Sequence, residues 1–329
     1  MVWLGVLLAP LVSCLYLNSY TDPLYFKDIK PTIGVLTIPN DIEYAYADYA
    51  ESHLRATYVK HIESGAMRVI PLQYNSTFEE IDYLLARVNG VFFTGGSAKL
   101  FIREENKEPR FTQFMKMADF IVKRIIEKND NGEYFPLFTT CLGWEVLTIV
   151  LTNKCTLETS KGMNYTTNII FTDKVAKSKW FKDVDPRILY YMSAMNMTAQ
   201  NHQWAILPRY FESEPILKKF FNVLGLSKNL EGEYYISLAE SKKYPIFSTM
   251  FHPEKPPYRW AFADVNNSPL SIQVNQFFAH FIAQEVRKNS NKFGSYEEYL
   301  KYCLYQVAMH HLGPDEIQAY FFEKVIKDD

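Results

Sequence analysis

The sequence predicts an α/β fold, a mostly parallel central sheet with helices on both faces, and three observations lead there. From Pro31 to about Phe93, apolar strand-like runs alternate with amphipathic helical stretches, as in a parallel sheet covered on both sides. Gly95-Gly96 and Cys141 each follow directly on an apolar strand run. They therefore fall at the carboxyl ends of strands, where sheets of this kind place their active sites. Thirdly, Phe135–Phe138 passes at once through Cys141 into a helical pattern (Glu145, Val146, Leu147, Ile149, Val150, Leu151), a sharp strand-to-helix join.

In chain order, Met1–Leu17 is apolar, and its hydrophobic run Leu4–Val12 is too short to span a bilayer comfortably. It reads as a signal peptide over residues 1–14, with Ser13 or Cys14 at the cleavage boundary; the alternative is a buried or membrane-resting segment. Thr32–Ile38 reads as a strand, Tyr49–Glu63 as an amphipathic helix closed by Gly65, and Met67–Leu72 as the next strand. Thr77-Phe78-Glu79-Glu80 has the Thr-x-x-Glu form whose side chains satisfy free N–H groups at a helix start, and that helix reaches Val88. Val91–Phe93 is a short strand, Phe111–Lys128 a helix, and Pro136–Phe138 the strand before Cys141. Thr152–Asn201 is less regular and is expected to edge the sheet and rim the site. Phe220–Leu224, Tyr234–Leu238 and Ile246–Phe251 supply further strands, and Ser271–Lys288 a helix. These elements make one domain, residues 30–290. The remainder, 291–329, is aromatic (Tyr299, Tyr302, Tyr305) and is expected to pack on the domain as a helix-bearing extension.

With 329 residues, 48% apolar and 22% charged, the chain can bury a sizeable core. A formal net charge of −2 gives no footprint for nucleic acid or anionic membranes. Removal of Cys14 with a leader leaves Cys141, Cys155 and Cys303, an odd number that keeps at least one thiol free. Cys-x-x-Cys spacing is absent and His310-His311 stands alone, so no zinc site is expected. Asn-x-Ser/Thr sequons at Asn75, Asn164, Asn196 and Asn266, with the leader, favour a secretory route to a lysosome, vacuole or the exterior.

The join at Cys141 pushes the side chain out of the sheet and sets its sulfur over a helix N-terminus, where free N–H groups favour thiolate. The bland alternative is a small buried core cysteine. Far along the chain, the apolar run Tyr244–Phe251 ends in His252-Pro253-Glu254. Proline holds its neighbours extended, so residues two apart point to one side and Glu254 can bond one imidazole nitrogen of His252. The other nitrogen then faces the thiol, giving nucleophile, base and orienting carboxylate. Gly95-Gly96 is either a tight turn or a loop whose N–H, with that of Leu142, forms an oxyanion hole.

Thr140-Cys141-Leu142-Gly143 with His252-Pro253-Glu254 resembles the class I glutamine amidotransferase superfamily. Within it, the chain is similar to gamma-glutamyl hydrolases, the folate conjugases of peptidase family C26. Thr32–Leu36, Tyr58-Val59-Lys60, Phe92–Ser97, Asn201–Trp204 and His252–Lys255 carry the likeness in order, from about Lys30 to about Phe293. The resemblance implies a flavodoxin-like three-layer sandwich and cysteine-dependent hydrolysis of γ-glutamyl amides, most naturally folate poly-γ-glutamates. It implies Cys141, His252 and Glu254 as the catalytic set, and it favours the oxyanion reading for Gly96 and Leu142. It also implies substrate contacts from His202, Gly95 and Glu145. It calls for a small-molecule substrate, no cofactor and no metal, and leaves room for a homodimer. Three positions depart from the family pattern: Thr139 and Ser248 stand where glycine is usual, and Thr94 where proline is usual. They keep open a weak or inactive relative acting as a structural or interaction subunit. A glutaminase subunit feeding a synthetase is a further alternative that the leader and sequons disfavour.

Overall fold

The computed structural model describes residues 31–41, 50–260, 264–312 and 317–322; the expected leader, Cys14 and Tyr49 lie outside them. The first half runs β1 (Thr32–Leu36), β2 (Ile38–Pro39), β3 (Ser52–Arg55), α1 (Ala56–Ser64), β4 (Arg68–Leu72), α2 (Phe78–Leu85) and β5 (Val91–Phe93). A small hairpin, β6 (Phe101–Ile102) and β7 (Arg110–Phe111), precedes α3 (Gln113–Asp130), β8 (Leu137–Thr140) and α4 (Leu142–Thr152). Then come β9 (Glu158–Thr167), β10 (Ile170–Phe171), α5 (Pro186–Ala194), β11 (Thr198–Ala205), α6 (Pro208–Ser213) and α7 (Pro215–Phe220). The rest is β12 (Phe221–Lys228), β13 (Tyr234–Ser241), β14 (Ile246–Thr249), α8 (Lys255–Tyr258), α9 (Pro269–Val286), α10 (Tyr296–Tyr302), β15 (Met309–Leu312) and β16 (Ile317–Phe322).

Five strands run parallel in the order β4-β1-β5-β8-β14, and β13, β12 and β10 continue the β14 edge antiparallel. Alternation along each strand feeds two cores. Val91, Phe93 and Leu137 face α2, α3 and α4, whereas Phe92, Phe138 and Phe247 face α1 and α9. Each such buried side chain contributes about 1.5–3 kcal/mol, and the two apolar layers hold the sheet between helices. Thr77 caps α2 as its sequence form predicts, its Oγ1 accepting the Glu80 N–H at 3.1 Å.

Two local expectations change. Ser52–Arg55 is a strand and the helix starts at Ala56, because β3 pairs antiparallel with β2 and with β16 (Arg55 opposite Ala319, Ser52 opposite Phe322). A pairing partner so distant in the chain overrides the local helical period. Thr32–Ile38 is interrupted at Thr37, whose N–H bonds the Leu72 carbonyl at 2.9 Å, and β2 leaves for the small sheet. The chain beyond residue 290 contributes α10, buried Cys303 and Leu304, and β16. Its start is pinned by buried Asn89, which accepts the Thr32 N–H at 2.8 Å and donates to the Asn291 carbonyl at 2.8 Å.

Candidate active site

Topology brings the chemistry together. β8 lies between β14 and β5, all parallel, with Thr140 opposite Thr249 and Phe93 opposite Thr139. The nucleophile strand, the histidine strand and the glycine loop therefore end at one level of one edge. Cys141 makes the turn from β8 into α4 with φ 51° and ψ −112°, its N–H bonding the Thr249 carbonyl at 2.9 Å. Positive φ in a non-glycine residue is strained, and the surrounding pairing enforces it. The helix can follow so tightly because residue 143 is glycine: a Cβ there would stand 2.2 Å from the Phe93 carbonyl oxygen.

His252 is buried and its Nδ1 lies 2.8 Å from Glu254 Oε1. Burial pushes Glu254 up, but His252, Lys255 and its own backbone N–H together hold it below the usual carboxylate range, so the carboxylate accepts and Nδ1 carries the proton. Nε2, with no hydrogen-bond partner among the described residues, is left with its lone pair. Burial, reinforced by the Lys255 charge, pushes His252 down to about 4, so it is neutral and basic near neutrality. Gly95 sits where the two halves meet: a Cβ on it would be 2.8 Å from His252 Cε1 and 3.1 Å from Cys141 Cβ.

The Cys141 thiol departs from expectation. Burial and the Glu145 carboxyl push it up, and the Leu142 N–H and Lys255 only partly offset them, so the resting sulfur is a thiol. It lies 3.9 Å from the Asn201 carbonyl. Glu145, in the first turn of α4, is itself raised to about 8 by burial and is neutral at pH 7. His202, on β11, packs edge-on against Tyr235 at 4.7 Å; burial, then His252, holds it down to about 3.

All eight residues picked out from the sequence (Cys141, His252, Glu254, Gly95, Gly96, Leu142, His202 and Glu145) line one cavity of about 460 Å³. Sequence reasoning missed two others. Tyr58 Oη accepts the Gly95 N–H at 2.9 Å and lies 3.0 Å from His252 Nδ1, tying the glycine loop to the base. That engages the Gly95 N–H. Lys255 follows His-Pro-Glu directly and lines the cavity. Tyr58-Val59-Lys60 and His252–Lys255 carry the family likeness, but nothing local in them marks the contacts that Tyr58 and Lys255 make. Two of the unusual residues turn out to be partners: Thr139 Oγ1 bonds Ser248 Oγ at 2.8 Å across β8 and β14. Among the described residues no His, Cys, Asp and Glu cluster is disposed to hold a metal, and no helix is long and apolar enough to cross a membrane.

The family model described as peptidase C26 matches residues 31–188. Gamma-glutamyl hydrolase B of Dictyostelium discoideum is 32% identical, over 88% of this chain and 82% of its own. Gamma-glutamyl hydrolase of Homo sapiens is 31% identical, over 86% of each chain. Gamma-glutamyl hydrolase 2 of Arabidopsis thaliana is 33% identical, over 80% of this chain and 74% of its own.

Proposed function

The chain belongs to the gamma-glutamyl hydrolase family of C26 peptidases, and from that premise we propose that it hydrolyses γ-glutamyl amide bonds, folate poly-γ-glutamates foremost. The observation that supports this most is the convergence of Cys141 and a neutral His252, with Nε2 open, on one cavity. His252 Nε2 takes the Sγ proton as the sulfur attacks the γ-carbonyl carbon. The N–H groups of Gly96 and Leu142 hold the oxyanion, each donor worth about 3–4 kcal/mol in such sites. The imidazolium returns its proton to the amide nitrogen, the C–N bond breaks and the amine leaves a thioester. Water, deprotonated by His252, then attacks the thioester; the C–S bond breaks, releasing the acid and restoring the thiol. Glu254 and Tyr58 position the base, and His202 and Glu145 contact the substrate.

Purified protein incubated with pteroyl-poly-γ-glutamate should give shortened products by chromatography, and Cys141→Ala should give none. Wild type that yields no product leaves the chain an inactive relative. Passage through the secretory pathway is part of the same reading. Asn164 and Asn196 are exposed, whereas Asn266 Nδ2 donates to the Asn196 carbonyl at 2.9 Å and Asn75 Oδ1 is buried. Glycans should therefore be found at Asn164 and Asn196 first when native material is mapped by mass spectrometry. Unmodified asparagine at both would sink that route.

A further inference from the structure

Lys255 is a buried basic side chain in the Cys141 cavity to which the hydrolytic mechanism gives no task. It is 7% exposed and lines the cavity with Cys141, His202 and Glu145. No carboxylate of the described residues pairs with it; the adjacent Glu254 is turned to His252, 2.8 Å away. Glu145 is no counter-ion either, since burial keeps it protonated. Arg55 and Arg259 line the same cavity, and their charges oppose that of Lys255. A buried ammonium without a counter-ion costs several kcal/mol. Such a group, buried yet lining the cavity, fits an anion carried in by a ligand.

In a γ-glutamyl amide the α-carboxylate is free and lies a few bonds from the reacting carbonyl. Cys141, which must meet that carbonyl, is close enough to Lys255 for each to act on the other's charge. Resting on the hydrolytic reading above, we propose that Lys255 is the carboxylate subsite of this cavity, holding the α-carboxylate of the glutamyl unit that Cys141 attacks. The site thereby selects an acidic acyl unit over a neutral one. Binding also couples to the chemistry: a bound carboxylate keeps Lys255 charged, and a charged Lys255 favours the thiolate at Cys141. Discrimination between γ- and α-linked amides lies elsewhere, because both leave a carboxylate at the same remove from the carbonyl.

Two arms test this. The first compares pteroyl-di-γ-glutamate with the analogue whose scissile glutamyl unit carries an α-carboxamide. Wild type should lose about 10- to 100-fold in kcat/KM on the amide, the range of a charge-assisted bond. Lys255→Met should lose as much on the carboxylate substrate and no longer distinguish the two, while Lys255→Arg should keep a preference. Wild type that hydrolyses both equally overturns the proposal without any variant needing to fold. So does a Lys255→Met enzyme that loses equally on both and keeps the preference. The second arm needs no turnover: Cys141 is alkylated at pH 6 with iodoacetate and with iodoacetamide, followed by peptide mapping. Wild type should favour the anionic reagent relative to Lys255→Met, and equal ratios overturn the proposal. If wild type hydrolyses neither substrate, the proposed function falls while the alkylation ratio still decides whether an anion is held beside Cys141.

Discussion

Strain at the elbow falls on Cys141, not on the β-branched residue two positions before it. Thr139 lies in a regular strand, paired with Ser248, and only Cys141 takes the positive φ, a distortion worth about 1–3 kcal/mol. The hydroxyls of Thr139 and Ser248 bond each other, and Thr140 and Thr249 repeat the contact at 3.1 Å one register step nearer the site. Thr139→Val should leave the buried Ser248 hydroxyl without its partner and cost about 1–3 kcal/mol in urea unfolding. Thr139→Val with Ser248→Ala should cost less than the sum of the two single changes. Additive costs would show that the pair is not coupled. At the reacting end, His252→Ala should remove nearly all turnover. Glu254→Gln keeps shape but loses the charge that stabilises imidazolium, and should leave measurable activity at a rate lowered ~10²–10⁴-fold. His202→Asn should act mainly on KM. If His202→Asn abolishes turnover while His252→Ala retains most of it, the base is the other histidine.

Tyr58 reaches the site from α1, and α1 is held at its start by the small sheet. β3 runs directly into α1, β16 is the inner neighbour of β3, and Lys60 of α1 bonds Gln318 of β16. Deleting residues 309–329 should therefore lower kcat/KM by loosening Tyr58, while near-UV circular dichroism stays close to wild type. Unchanged turnover would show that the small sheet does not set the base. This linkage was illegible in the sequence: Ser52–Arg55 has an acceptable helical period, and nothing nearby signals a partner at Ile317–Phe322. The central strands could be read because their apolar runs are local and bounded by turn residues. Cys141, His252 and Glu254 could be read because each sits at the end of such a run. Tyr58 and Lys255 could not, since their roles depend on which atoms they meet across the sheet. The same holds for Thr139 and Ser248, which look like two separate oddities until β8 and β14 are paired.

Across the whole molecule, burial of ionisable groups sets opposing pH limits on activity and stability. Activity needs His252 neutral, which holds above about 4, and on the present proposal it needs Lys255 charged. Burial pushes Lys255 down to about 7 against the pull of Glu254 and Cys141 and with the push of Arg259 and Arg55, so kcat/KM should fall as pH rises through 7. Stability runs the other way. His53 and His202 are held down to about 3, and His61 and His252 to about 4, in each case chiefly by burial. Their unfolded pKa is near 6.5, so between pH 6.5 and 4.5 the unfolded chain takes up protons that the native chain refuses. Folded values lowered in this way mean stability present above 6.5 and lost as pH falls. Glu145, raised to about 8, opposes them in that window, because the native state keeps a proton that the unfolded state has shed. For these five groups the balance is roughly three protons, so their contribution to stability should drop by up to about 4 kcal/mol per pH unit near pH 5.5, against a total stability of about 5–15 kcal/mol. Melting temperatures followed by intrinsic fluorescence should fall steeply from pH 6.5 to 4.5, and His61→Gln should make the fall shallower by about one proton. A flat profile would mean that these imidazoles reach water, and His252 would then set the acid limit of activity near its ordinary value of about 6.5.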